Sequence, residues 1–381
     1  SNVKQQKKYQ FFRDRKIYDF FCWHYHYFYY NYYYPLGVYF INHKTGNQTT
    51  YINNLMQTIS DDGGGELKLD LGVWTANLEV PNNITLSGFG LGLTEINPTT
   101  TTGVQKVIKN KTQTGAGNEN IVLKDLVIDA KRTTGASGGG GNVDFQIIKN
   151  LRLINITSKN PHSHCFEIGH FEDVYAENCI GRFETSYTAD DCFSISDYFQ
   201  IAGARRSKGG LFVNCKAYGF PTAANTSGFE VDDAPQDVTF IACKSYGVYG
   251  GFTVHVHTGT ASPTDIMFTN CVSDGCERGF SCYQLDTIDN IKNIKFTDCV
   301  AKNGTPTSRG FFIDDIGTPT HKLGKVELNG CSAEGSYQGL INHGENTRIM
   351  GCDFENNTVP YTVTFNINQI AGLNRPAYTT L

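Results

Sequence analysis

The stretch VTFIACKSYGVYGGFTV, residues 238–254, decides the fold, because a similar stretch begins 28 residues later. The second copy reads IMFTNCVSDGCERGFSC, residues 266–282. Each copy opens with a short alternation of apolar and polar residues that ends on a cysteine, and each closes on a Gly-Phe pair, at Phe252 or Phe280. Alternation with a period of two predicts a half-buried strand. Self-similarity at a period of roughly 20–50 residues predicts a repeat architecture.

The same unit recurs along most of the chain. Its cysteines follow one another at spacings of 36, 28, 28, 28, 32 and 21 residues, and they are Cys179, Cys215, Cys243, Cys271, Cys299, Cys331 and Cys352. A second strand in each repeat is centred on Phe166, Phe193, Phe229, Phe252, Phe280, Phe311 or Leu340. The polar segments between these strands are too short for a crossover helix. The sequence therefore predicts an all-β fold, a parallel β-helix with two short strands in each coil.

In such a coil the seven repeated cysteines would stack at about 4.8 Å and form a ladder inside the molecule. We interpret them as small buried apolar side chains. No Cys-x-x-Cys sequence indicates a metal site, and the parallel Cβ directions of stacked residues disfavour disulfides. The ladder therefore predicts nothing about the redox compartment.

Composition narrows the function classes. The chain has 381 residues, a formal net charge of −5 and only 18% charged residues, so it lacks the basic character expected of a nucleic-acid-binding protein. It contains no apolar run of about 18 residues, and no membrane span is predicted. Its 40 glycines and 13% aromatic residues favour strands joined by turns over helices.

The repeat resembles the single-stranded right-handed β-helix of the pectin-lyase-like superfamily over roughly residues 47–360, and the predicted β-helix domain is residues 46–360. The start of the chain adds to the resemblance, because residues 51–60 predict a short amphipathic helix that is followed by the first strand. A helix here would cover the core and the unpaired edge of the first coil. The same arrangement opens secreted polysaccharide-degrading enzymes and phage tailspikes. The resemblance therefore implies a right-handed parallel β-helix with a short N-terminal capping helix.

Two segments flank the predicted β-helix. Residues 1–45 form an aromatic-rich arm, with FFCWHYHYFYYNYYYPLGVYF at residues 20–40, and they lack the features of a signal peptide. This arm could be an inter-subunit or virion-attachment segment, a disordered arm, or an uncertain stretch of the sequence itself. Residues 361–381 form a C-terminal cap or tail. The resemblance to tailspikes implies a homotrimer, an extracellular or virion location, and partners that could include other virion proteins.

The segment TADDCFSI, residues 188–195, is the sharpest catalytic signal. It resembles the Gly-Asp-Asp-Cys stretch of polygalacturonases, and the resemblance implies that Asp190 is the general acid and that Asp191 helps to activate water. The family's third aspartate falls at His164 and its histidine near Ser227, so half of that set is absent. From the residues alone, the Asp190-Asp191 pair could also be an acidic turn before a strand.

Further polar residues share the outward face of the phenylalanine-centred strands, because side chains alternate along a strand. Glu230 and Asp232 lie one repeat beyond Asp191, which allows carboxylates to face each other at roughly 5–10 Å. No metal site is predicted, although this cluster could also hold Ca²⁺. The predicted catalytic residues are Asp190, Asp191, Glu230, Asp232 and His255. The predicted substrate contacts are His164, Glu167, His257, Arg278, Tyr283, Arg309 and Asp314.

These features favour an enzyme that cleaves a surface or capsular polysaccharide, a tailspike-like depolymerase acting through acid and base carboxylates. One alternative is a non-catalytic virion structural or receptor-binding β-helix. A second is a Ca²⁺-dependent polysaccharide lyase, in which Arg278 would assist β-elimination. The expected partner in each case is a polysaccharide, with no nucleic acid and no cofactor besides Ca²⁺.

Overall fold

The fold is taken from a computed structural model. It describes residues 37–90, 92–101, 106–132, 140–184, 190–197, 204–219, 226–257, 261–284, 290–314, 323–344, 346–363 and 369–371. The described residues from 39 onward belong to one compact unit. Residues 1–36 of the predicted aromatic arm lie outside the described residues. Most of the predicted tail at residues 361–381 lies outside them as well.

The single helix of the described chain, α1 (Thr49–Asp61), precedes the first coil. It buries Ile52, Met56 and Ile59, which recur about once per helical turn and so form one apolar face. The first coil is joined to it by a hydrogen bond of 3.0 Å from the backbone N–H of Glu79 to Oδ1 of Asn53. The predicted capping helix is thus confirmed. No helix in the described part of the chain has the length and apolar character that a membrane crossing needs.

Short strands make up the rest of the described structure. They are β1 (Val38–Ile41), β2 (Gly65–Leu69), β3 (Gly72–Thr75), β4 (Leu78–Val80), β5 (Ile84–Ser87), β6 (Thr94–Asn97), β7 (Ile108–Asn110), β8 (Asn118–Asp129), β9 (Val143–Gln146), β10 (Ile148–Lys159), β11 (Phe166–Gly169), β12 (Glu172–Glu177), β13 (Ile180–Arg182), β14 (Asp191–Ser196), β15 (Lys208–Val213), β16 (Lys216–Tyr218), β17 (Ser227–Asp232), β18 (Gln236–Ile241), β19 (Lys244–Tyr246), β20 (Gly250–His255), β21 (Thr264–Thr269), β22 (Val272–Asp274), β23 (Arg278–Tyr283), β24 (Lys292–Thr297), β25 (Val300–Lys302), β26 (Arg309–Asp314), β27 (Val326–Asn329), β28 (Ser332–Glu334), β29 (Gln338–Asn342), β30 (Thr347–Met350), β31 (Val359–Val363) and β32 (Gln369–Ala371).

Each strand pairs in parallel with the equivalent strand of the next coil. The sheet of phenylalanine-centred strands runs in the order β4, β7, β9, β11, β14, β17, β20, β23, β26, β29 and β31. The strands that lead to the cysteines form a second row, β12, β15, β18, β21, β24 and β27. Such stacking of successive coils is a parallel β-helix, as predicted.

The coils contain a third strand that the repeat analysis missed. It follows the cysteine directly and forms the row β13, β16, β19, β22, β25 and β28. The prediction of two strands per coil is therefore wrong. These strands have only three residues, and the buried middle position is small, as at Ala217, Ser245 and Ser273. A segment this short shows no recognisable hydrophobic alternation.

The core consists of stacked columns of identical side chains. The rings of Phe166, Phe193, Phe229, Phe252, Phe280 and Phe311 stack in that order, with centroids 4.6–4.9 Å apart. The seven repeated cysteines are buried and free, which confirms the predicted ladder. Each of their thiols donates to a backbone carbonyl of the preceding coil at 3.4–3.6 Å. The thiols are thereby satisfied within the apolar core.

Candidate active site

The register of the phenylalanine-centred sheet brings the predicted polar residues into columns. Glu230 pairs with Ser194 on one side and with Thr253 on the other. Asp232 pairs with His255 in the next coil. The predicted columns are confirmed, because the phenylalanines fix the register and alternation then turns their neighbours outward.

These columns line a groove of about 410 Å³ on the face of the sheet. Its lining side chains are almost all polar or ionisable, and it crosses the successive strands β11, β14, β17, β20 and β23. The predicted residues that line it are His164, Glu167, Asp190, Asp191, Glu230, Asp232, His255, His257, Arg278 and Tyr283.

A pair of neighbouring carboxylates, Asp191 and Glu230, lies in this groove. The side chain of Asp191 is 4% exposed, and its Oδ1 accepts a 2.8 Å hydrogen bond from the backbone N–H of Ser227. Glu230 Oε1 lies 2.8 Å from Nε2 of His255 and accepts a 3.4 Å hydrogen bond from Oγ of Ser227. Burial, followed by the charge of Asp191, raises the pKa of Glu230 above its usual value.

His164 lies between two acids, Asp191 and Glu167. Its Nε2 lies 3.3 Å from Oδ2 of Asp191, and its Nδ1 lies 3.5 Å from Oε2 of Glu167. Burial by itself would lower the pKa of His164, but these two carboxylates outweigh it and raise that pKa well above the usual value. Burial by itself would raise the pKa of Glu167, but the hydrogen bond and charge of His164 outweigh burial and lower that pKa below its usual value. The arrangement favours an imidazolium between two carboxylates.

A second cluster adjoins Glu230 across the next strand. His257 Nδ1 lies 2.6 Å from Oδ2 of Asp233 and 3.3 Å from Oδ2 of Asp232. Hydrogen bonds to these acids raise the pKa of His257 to about 10. Burial alone would lower the pKa of His255, but Glu230 outweighs burial and raises that pKa to about 8. Burial raises the pKa of Asp232 to about 6. Tyr283 stacks on His255 with a centroid distance of 5.0 Å.

Arg278 supplies a cation at the far side of the groove. Its guanidinium lies over the rings of Tyr249, Tyr283 and Phe312, at 5.1, 5.8 and 4.8 Å from the centroids. Its Nε is buried and has no hydrogen-bond partner among the described residues. Such a cation, packed on aromatic faces, is positioned to meet an anionic or hydroxyl group of a ligand.

Three predicted residues differ from their expected surroundings. The side chain of Asp190 is 58% exposed and accepts a hydrogen bond from Oγ of Ser163, so it lies at the groove's rim. Arg309 lies over Phe312, 4.8 Å from the centroid, and is not among the lining residues. Asp314 is 3.0 Å from Nδ1 of His343, also outside the lining.

The sequence analysis missed several residues of this face. Ser163 and Tyr249 line the groove, and both lie in bends where the alternation of strands gives no signal. Asp144 pairs in register with Glu167 and forms a 2.7 Å ion pair with Lys106. Burial and Glu167 raise the pKa of Asp144 to about 6. Asp144 follows Val143, so a repeat search that accepted valine in the phenylalanine column would have found it.

Asp232, His255 and His257 are the residues best placed to hold a metal, since one donor atom of each lies within 4.8 Å of the others. Of the two acids considered for Ca²⁺, Glu230 already contacts His255 at 2.8 Å.

Several solved structures superpose on most of this chain. The A-module of mannuronan C-5 epimerase AlgE6 from Azotobacter vinelandii superposes with a TM-score of 0.59 at 15% identity, covering 87% of this chain and 97% of that one. An exopolygalacturonase from Thermotoga maritima gives 0.60 at 12% identity, with coverages of 87% and 91%. Tailspike gp49 of Acinetobacter baumannii bacteriophage Fri1, a capsular polysaccharide depolymerase, gives 0.51 at 14% identity, with coverages of 90% and 62%.

The chain has the right-handed parallel β-helix fold of these proteins. At 12–15% identity the likeness concerns the fold, which by itself does not specify an activity. No protein-family model matches the sequence, and no curated protein matches it. The function of this β-helix must therefore be argued from its groove.

Proposed function

We propose that the groove binds a polysaccharide and hydrolyses its glycosidic bonds, with Glu230 as the general acid and Asp191 as the base. The observation that carries the proposal is this pair of neighbouring carboxylates on adjacent strands of a polar groove, with Asp191 buried and the side chain of Glu230 16% exposed. Acid and base carboxylates are the groups that most glycoside hydrolases use.

The surroundings of the two carboxylates distinguish their roles. Burial and the neighbouring charge of Asp191 raise the pKa of Glu230, which suits this carboxyl to donate a proton. Asp191 accepts the backbone N–H of Ser227 and faces His164, and these contacts hold its side chain in place beside Glu230. Glu230 would protonate the leaving glycosidic oxygen, and Asp191 would take a proton from the water that attacks the anomeric carbon.

The comparisons supply supporting context. The exopolygalacturonase and the capsular polysaccharide depolymerase are named for their action on polysaccharides. On the same basis we infer that this chain works outside the cell or on a virion, as a homotrimer with other virion proteins among its partners. Light scattering of the full chain would test the trimer.

The decisive experiment incubates the protein with a panel of capsular and cell-surface polysaccharides and follows new reducing ends and product masses. Glu230→Gln and Asp191→Asn should each lower the cleavage rate by about 100-fold or more, because general acid–base catalysis contributes on that order. Glu334→Gln, an exposed acid at the end of β28, is the matched control and should cleave at the wild-type rate.

Cleavage at the wild-type rate by both Glu230→Gln and Asp191→Asn would overturn the assignment of the pair. Tight glycan binding without products from the wild-type chain would favour the alternative of a non-catalytic virion structural or receptor-binding protein.

Arg278 favours a second candidate, a polysaccharide lyase. No carboxylate of the described residues pairs with its guanidinium, so it is available to neutralise the carboxylate of a uronic acid. Tyr283 and His255 lie beside it, and a pair of this kind can move the proton next to that carboxylate. β-Elimination would yield an unsaturated sugar with ultraviolet absorbance, and a Ca²⁺-dependent lyase would lose activity with chelator. Saturated products exclude this candidate.

A further inference from the structure

Three potential metal ligands converge on adjacent strands at the edge of the groove. Asp232 ends β17, His255 ends β20 and is its register partner, and His257 follows two residues later on the same face. One donor atom from each lies within 4.8 Å of the other two. Asp232 and His255 are 3% and 6% exposed, whereas the side chain of His257 is 44% exposed.

The cluster contains buried polar atoms that lack partners. Neither Oδ1 of Asp232 nor Nδ1 of His255 has a hydrogen-bond partner among the described residues. A buried carboxylate oxygen and a buried imidazole nitrogen each carry a substantial desolvation cost when unpaired. A bound cation would satisfy both atoms together.

Carboxylates outside the cluster hold both imidazoles. Oε1 of Glu230 lies 2.8 Å from Nε2 of His255, which leaves Nδ1 as the nitrogen of that ring without a partner among the described residues. Asp233 accepts the backbone N–H of His257 at 2.8 Å, and its Oδ2 lies 2.6 Å from Nδ1 of the ring. Metal-binding histidines commonly contact a carboxylate through their second nitrogen, because this contact fixes the ring and increases its basicity.

We propose that Asp232, His255 and His257 bind one divalent transition-metal ion, such as Zn²⁺, Co²⁺ or Mn²⁺. Two imidazoles and one carboxylate suit these ions, whereas Ca²⁺ and Mg²⁺ prefer oxygen ligands throughout. Donors around Zn²⁺ lie about 3.4 Å apart for bonds of roughly 2.1 Å. The ion would therefore draw the three side chains together, and the side chain of His257, 44% exposed, is the least buried of them. Three protein ligands leave a coordination position open toward the groove.

The metal site and the proposed hydrolysis are tested separately, since metal binding is measured without a glycan. The full-length protein is stripped with chelator and titrated with Co²⁺, and its visible d–d absorption and stoichiometry are recorded. Zn²⁺ is then added to displace the Co²⁺. We expect one Co²⁺ per chain and complete displacement by Zn²⁺.

The variants His255→Gln, His257→Gln and Asp232→Asn should each weaken Co²⁺ binding by at least about 10-fold. His343→Gln is the matched control, because that histidine also pairs with an aspartate but lies outside the groove lining. It should bind as the wild type does. Circular dichroism of the metal-free variants identifies any that fail to fold. If one of the two histidine variants does not fold, the other still tests the site.

Wild-type Co²⁺ affinity in folded His255→Gln and His257→Gln would overturn the proposal. So would the absence of a stoichiometric d–d band, or equal loss of binding in His343→Gln. Displacement of Co²⁺ by Ca²⁺ as readily as by Zn²⁺ would also overturn it, because an imidazole site discriminates against Ca²⁺.

Discussion

His164, a half-buried residue of the groove, links the stability of the fold to pH. Its ring lies between Asp191 and Glu167, which raise its pKa well above the usual value of 6.5. A histidine with a raised pKa stabilises the folded state fully below the pKa of the unfolded chain. That contribution is lost as the pH rises through the folded pKa.

We therefore expect the stability difference between the wild type and His164→Gln to be largest near pH 6 and to shrink steadily above pH 7. Urea unfolding at a series of pH values measures it, because the glutamine variant lacks the titrating group. His343→Gln is the control, since this half-buried histidine also faces an aspartate but lies outside the groove lining. A difference that stayed constant up to pH 10 would show that His164 is not protonated in the folded protein.

At the same scale, the sequence predicted which residues face the groove but not their depth. Asp190 and Asp191 are consecutive, so alternation placed them on different faces without saying which one the neighbouring coil would cover. The structure exposes Asp190 and buries Asp191 against Ser227 of the next coil. The resemblance to polygalacturonases implied that Asp190 is the acid, whereas we propose Glu230, whose pKa burial raises.

At the scale of elements, each coil depends on one left-handed residue. The residue before each repeated cysteine has a φ of 50–60°, and these residues are Asn178, Asn214, Ala242, Asn270, Asp298, Gly330 and Gly351. Glycine, asparagine and aspartate tolerate this conformation, while alanine does not favour it. The amides also form a ladder, in which Asn214 Nδ2 donates to Asn178 Oδ1 at 2.6 Å.

Ala242 interrupts this ladder at the bend between β18 and β19. Ala242→Asn should stabilise the protein by about 1 kcal/mol, because asparagine tolerates the left-handed conformation that costs alanine roughly that amount. It would also place an amide between those of Asn214 and Asn270. A thermal scan at fixed rate should show Tm raised by about 2 °C.

The control for this bend is Ala242→Val, which should lower Tm because a β-branched residue is strained at positive φ. An unchanged or lowered Tm in Ala242→Asn would mean that the bend in this coil relaxes without cost.

At the scale of the whole molecule, the groove is a product of coil stacking. Its lining extends over the five successive strands β11, β14, β17, β20 and β23. Four steps of about 4.8 Å give the groove a length of about 19 Å. The groove therefore suits several units of an extended polymer.

If the groove cleaves a polysaccharide, kcat/KM should rise at least about tenfold from the shortest oligosaccharide to one that fills the groove, and then level off. Binding energy from distant units can be used to stabilise the transition state. Purified oligomers of the substrate identified in the glycan panel provide the measurement, and the affinity of Glu230→Gln for the same oligomers isolates binding. A kcat/KM that does not change with oligomer length would contradict an extended site.

The sequence by itself determined the coil, because its information is local and repeated. A cysteine after a left-handed residue recurs at the end of one strand, and a phenylalanine after glycine or cysteine recurs in six of the seven copies of the other strand. Stacking such units in register then fixes which columns face outward. The N-terminal helix could be predicted for the same reason, since its three buried apolar residues follow the helical period.

Only the tertiary structure decided the chemistry of the groove. Asp191 and Glu230 are 39 residues apart in the sequence, and they become neighbours only because β14 and β17 pair in register. The same holds for Asp232, His255 and His257, whose donor atoms converge only when β17 and β20 pair. A repeat pattern specifies the direction of a side chain, but burial and partner distance, which set the proton and metal affinities, arise from the neighbouring coils.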